Sequence, residues 1–140
     1  MAALVVILAF SGCSSSTVKG QLEVAVGQVV SASRSGMLAL DQYRDGKTLP
    51  SATDTALEDA LTDVASEQAE TAALDVSTPA ERRLQQHSTR VTDDVADALS
   101  GARAALSNGT SARIDAARKQ LRKADRAADD WATQLGKGAP

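Results

Sequence analysis

Residues 78–109 read TPAERRLQQHSTRVTDDVADALSGARAALSNG, and this stretch decides the fold. The Thr78 side-chain oxygen can cap a helix, Pro79 suits its first position, and Glu81 can reach back to the cap amide. Beyond this start, Leu84, Ser88, Val91, Val95, Ala98, Ala102 and Ala105 recur in alternating steps of four and three, with Leu99 and Leu106 beside them. That spacing keeps one face of a helix apolar. Asn108-Gly109 closes the pattern, since both residues tolerate the left-handed conformation of a helix stop. A helix over 79–107 is predicted.

The same reading extends outward in both directions. Towards the C-terminus, Thr110 or Ser111 caps a helix over 111–135 whose stripe is Ile114, Ala117, Leu121, Ala124, Ala128, Trp131 and Leu135. Towards the N-terminus, Ser51 is a suitable cap with Asp54 three residues later, opening a helix over 51–75 with stripe Leu57, Leu61, Val64, Gln68 and Thr71. A first helix over 17–44 carries Leu22, Val26, Val29, Ser33, Gly36, Leu40 and Tyr43, and Asp45-Gly46 and Pro50 punctuate its end. The connections are short, so consecutive helices should be antiparallel neighbours. The expected fold is all-α: an up-down-up-down four-helix bundle over 17–140 with an Ala-rich core. A three-helix core with a detached first helix, or a helical hairpin that completes its core by dimerising, would satisfy the same pattern.

The chain has 140 residues, a net charge of -3 and one cysteine, Cys13. A single cysteine excludes an internal disulfide framework, and the acidic balance gives no general attraction to nucleic acid. Beyond Phe10 the only aromatics are Tyr43 and Trp131, whereas small-molecule pockets are usually lined with bulky and aromatic side chains. The bias towards Ala, Asp, Arg, Val and Thr is that of a high-GC bacterium of the actinobacterial kind.

Residues 1–10 read MAALVVILAF, an uncharged apolar run of signal-peptide length. It is too short to span a bilayer, which takes about 20 apolar residues. Ser11-Gly12-Cys13 follows, then three serines. The segment LAFSGC, Leu8 to Cys13, resembles the lipobox of bacterial lipoproteins, with Phe10 where an aliphatic is usual. The resemblance implies removal of 1–12 as a signal peptide, acylation of Cys13, a short polar tether over 13–16, and a bundle held at the extracytoplasmic face of the cell membrane. Each buried methylene of an acyl chain contributes about 0.8 kcal/mol, so one chain anchors marginally and two or three anchor firmly.

Three features inside the bundle bear on function. Between Ser51 and Ser77 the chain carries Asp54, Glu58, Asp59, Asp63, Glu67, Glu70 and Asp75 with no Lys or Arg. The last helix is basic, and Arg118, Lys119, Arg122, Lys123 and Arg126 form its candidate partner surface. Solvated faces, or mutual attraction within the bundle, would give the same pattern. Gln68 and Ser88 fall on apolar stripes and form a candidate polar core pair, of the kind that fixes register. His87 is the only histidine, and no Asp or Glu precedes it at helical spacing, so no metal-ligand or nucleophile–base set can be placed. Trp131 fits the stripe as a core residue, at the end of the bundle that a tether would hold near the membrane.

These readings point away from an enzyme and from any cofactor or metal. They favour a membrane-tethered interaction module, an accessory subunit or docking partner of an envelope protein complex. A lipoprotein that binds a small ligand or an anionic wall polymer is the alternative, and homo-oligomerisation is compatible with either.

Overall fold

The computed structural model describes residues 17–137. Cys13 and the lipobox-like segment Leu8–Cys13 lie outside that range. Four α-helices make up the described chain: α1 (Val18–Arg44), α2 (Pro50–Ala73), α3 (Pro79–Asn108) and α4 (Ser111–Gly136). Each packs against the next, and α4 returns to pack on α1, closing an up-down four-helix bundle. No described helix is long and apolar enough to cross a membrane.

Local chemistry sets the helix ends. At α3 the Thr78 hydroxyl accepts from the Glu81 amide at 3.1 Å, while the Glu81 carboxylate accepts from the Thr78 amide at 2.9 Å and the Ser77 amide at 3.0 Å. Such a cap contributes about 1 kcal/mol, and its hydrogen bonds hold the Glu81 carboxyl below its ordinary pKa. Gly109 ends the helix at φ 64°, in the left-handed region. Thr17 and Thr110 cap α1 and α4 in the same way, accepting from Gly20 and Arg113 amides.

The start of α2 differs from the sequence expectation. Ser51 is not the cap. Leu49 holds that place without a side-chain bond, and Pro50 is the first helical residue. The fixed φ of proline is already helical, so the helix begins one residue earlier. The Thr53 hydroxyl then bonds the Leu49 carbonyl at 3.1 Å and the Thr48 hydroxyl at 3.0 Å. Asp54, left without a capping role, faces α3 instead.

The stripes of α1, α3 and α4 form the core, with Leu22, Val26, Leu40, Val95, Leu99, Leu121 and Ala128 fully buried. Burying each Leu or Val contributes roughly 1.5–3 kcal/mol. On α2 the stripe is turned: Thr53, Leu57, Ala60, Val64 and Thr71 are buried, while Leu61 and Gln68 are half-buried. Small Ala60 takes the inward place that periodicity alone assigned to Leu61.

The cross-section is a rhombus rather than a square. α1 and α3 touch across one diagonal, and α2 and α4 do not touch across the other. Gly36 sits at the short diagonal. A Cβ there would lie 2.6 Å from Leu99 Cδ2 and 3.4 Å from Leu57 Cδ2. The missing side chain therefore lets Leu99 lie against the α1 backbone. By contrast, Gly101 is exposed on α3, with nothing within 4 Å of a Cβ.

These two glycines give opposite expectations. Gly36→Val overpacks the diagonal and should destabilise by about 1–3 kcal/mol. Gly101→Ala should stabilise by about 0.5–1 kcal/mol, since it only removes backbone freedom from a helix. Urea unfolding of both variants checks this, and a neutral Gly36→Val would contradict the close diagonal.

Candidate interaction surface

Five of the fifteen cations are engaged by acids of the same chain: Arg34, Arg44, Lys47, Arg103 and Arg118. Arg103 on α3 donates to both Asp54 carboxylate oxygens, at 2.8 and 3.0 Å, and reaches Glu58 at 3.4 Å. This lowers the pKa of Asp54 and raises that of Arg103. Arg34 on α1 pairs with Asp129 at 3.0 Å and approaches Asp125 at 3.6 Å. Arg44 and Lys47 both meet Asp45.

Arg118 belongs to this engaged group, which corrects its place in the predicted partner surface. Its side chain is only 13% exposed, its Nε donates to Asp41 Oδ1 at 2.6 Å, and it also meets Asp115 at 3.4 Å. Position 118 flanks the α4 seam on the side of α1, so the guanidinium folds across that interface instead of outward. Lys119, Arg122, Lys123 and Arg126 are exposed, and none is paired with an acid among the described residues. Arg126 bonds only the Arg122 carbonyl, at 3.3 Å. These four residues form one run of open basic charge along the middle of α4, while Arg113 on the same helix and Arg82 and Arg83 on α3 are also exposed and unpaired with an acid among the described residues.

The acids of α2 divide in the same manner. Asp54 and Glu58 are taken by Arg103, whereas Asp59, Asp63, Glu67 and Glu70 have no cation beside them among the described residues. Glu67 is half-buried at a surface groove of about 270 Å³ between α1 and α2, with Gln28, Ser31, Ser35, Asp63 and Ser66. Burial, and then the neighbouring Glu70 and Asp63 charges, push the Glu67 pKa above the ordinary 4.5. A second open groove, about 290 Å³, lies between α3 and α4 and is lined chiefly by small residues such as Ala98, Gly101 and Ala117.

Gln68 and Ser88 do not form the expected pair. The Gln68 amide points outward and donates to Asp93 at 2.7 Å. Ser88 is fully buried and accepts from Trp131 Nε1 at 2.9 Å. The turned stripe of α2 carries Gln68 out of the seam, and the indole supplies the donor instead. His87 packs its ring on Trp131, with centroids 4.1 Å apart, and Arg90 lies 3.2 Å from its Nδ1. No group of three or more metal-ligating side chains occurs among the described residues.

Sequence reasoning missed one buried acid. Asp125 on α4 is 7% exposed, and its carboxylate bonds the Ser33 hydroxyl of α1. That hydroxyl also lies 2.9 Å from the Val30 carbonyl. Asp125 adjoins stripe residue Ala124, so periodicity placed it outside the seam. The available signal was Ser33, a polar residue on the α1 stripe, with Arg34 next to it. Every buried side-chain nitrogen and oxygen among the described residues has a hydrogen-bond partner.

Glu67 generates a pH prediction. A raised folded-state pKa means that the fold holds the proton more tightly than the unfolded chain. Stability from this group is present below about 4.5 and is lost as pH rises through the folded value. Glu67→Gln should therefore raise the thermal midpoint at pH 7, with the advantage shrinking to nothing below pH 4. A gain of the same size at both pH values would contradict it.

No family model, curated protein or solved structure matches the chain.

Proposed function

We propose that this chain is an extracytoplasmic lipoprotein, acylated at Cys13, whose bundle is a non-enzymatic docking module for a protein of the cell envelope. The contact is the basic edge of α4: Lys119, Arg122, Lys123 and Arg126. The observation that carries this reading is the contrast between those four side chains and Arg34, Arg103 and Arg118, which are engaged within the chain. Unpaired exposed charge contributes little to a fold, since even a formed surface pair is worth only about 0–1 kcal/mol. The same charge steers association and selects an acidic partner face. The tether over 13–16 rests on the lipobox resemblance.

An anionic wall polymer is the second reading, because unpaired cations suit any polyanion. Attraction to a polymer would fall steeply with salt and show no dependence on the shape of the bundle.

Two variants test the proposal. Cys13→Ser should move the protein from the membrane to the soluble or secreted fraction, and unchanged retention refutes the anchor. Neutralising Lys119, Arg122, Lys123 and Arg126 to Gln should abolish in-cell cross-linking to a protein partner while leaving the helical circular dichroism signal intact. Cross-linking that survives all four changes refutes the basic edge as the contact.

A further inference from the structure

The rhombic cross-section sets α2 and α4 on opposite edges of the bundle. One edge carries Asp59, Asp63 and Glu70, exposed and without a cation, and the other carries Lys119, Arg122, Lys123 and Arg126. The two helices run in the same direction, because two reversals separate them. They also match in height. Asp63 lies ten residues before the end of α2, and Arg126 ten before the end of α4. Asp59 and Arg122 each lie fourteen residues before their ends, with Lys123 one residue along.

We propose that the basic edge of α4 docks on the acidic α2 edge of a second copy of this chain. The idea rests on the docking role given above to α4 and names its partner. A copy placed beside the first in the same orientation brings Arg126 level with Asp63, and Arg122 and Lys123 level with Asp59. Lower down, Asp130 stands level with Glu67, so the attraction comes from the middle of both helices, above that level. A common lipid tether would hold all copies in one orientation and raise their effective concentration on the membrane, so weak charge pairs suffice.

The contact is heterologous: each copy uses one edge as donor and leaves the other free. Such contacts propagate into open rows unless the rotation closes a ring. Association should therefore continue past the dimer, and it should weaken as salt shortens the screening length from about 30 Å at 0.01 M to about 8 Å at 0.15 M.

Site-specific cross-linking of the full chain in membranes tests this. Thr62 and Ala127 are exposed on α2 and α4 and carry no charge. The double variant Thr62→Cys with Ala127→Cys, treated with a short bis-maleimide at low salt, should give a ladder of dimer, trimer and higher species. Either single variant should give none beyond that of the parent chain, and a mixture of the two singles should give dimer alone. Neutralising Lys119, Arg122, Lys123 and Arg126 to Gln should remove the ladder, as should Asp59→Asn with Asp63→Asn and Glu70→Gln. Absence of a ladder overturns the proposal, as does strong dimer from one single variant or a ladder that survives neutralisation. If the ladder is absent but the α4 neutralisation still abolishes cross-linking to a different envelope protein, the docking role stands and only the identity of the partner falls.

Discussion

The close approach of α1 and α3 at Gly36 is the constraint on which the rest of the architecture depends. A side chain at that position would collide with Leu99, so glycine permits the two backbones to approach across the bundle. Four helices around one core cannot have both diagonals short. Drawing α1 and α3 together spreads α2 and α4 apart, and those are the helices with the strongest one-sided charge. The packing of one glycine against one leucine thus separates the acidic and basic edges.

The apolar periods were legible because long amphipathic helices repeat their signal over many turns. Of the sixteen positions assigned on α3 and α4, fourteen are buried, and only Leu84 and Trp131 are half-buried. The α3 capping box and the left-handed Gly109 were legible for the same reason, since each depends on a few adjacent residues. On α2 the reading failed where side-chain size misled: Leu61 outranks Ala60 in hydrophobicity, yet a narrow seam admits the alanine. Gln68 was misjudged by the same turn of the α2 stripe, and Arg118 and Asp125 because they occupy positions flanking the α4 stripe. At such positions the neighbouring helix decides whether a polar group turns in or out, and no single-helix period contains that information.

The buried polar groups explain how a core with so few large side chains keeps one arrangement. Ser33 with Asp125 ties α1 to α4, and Ser88 with Trp131 ties α3 to α4. An alanine seam packs almost equally well after a small slide, whereas a buried hydrogen bond does not survive one, because a stranded polar group costs about 1–3 kcal/mol. These bonds sit inside the bundle and engage their groups fully. The chemistry left at the surface is charge without partners, and that is the basis for reading the protein as a docking module.

The rhombic arrangement, from which the separated edges follow, is best measured by spin-label distances on the intact chain. Labels at Val24 and Gln86 report across the α1–α3 diagonal, and labels at Thr62 and Arg126 report across the α2–α4 diagonal; all four positions are exposed. The account predicts a clearly longer distance for the second pair, at dilutions where neighbouring copies do not contribute. Equal distances for the two pairs would describe a square bundle and would contradict it.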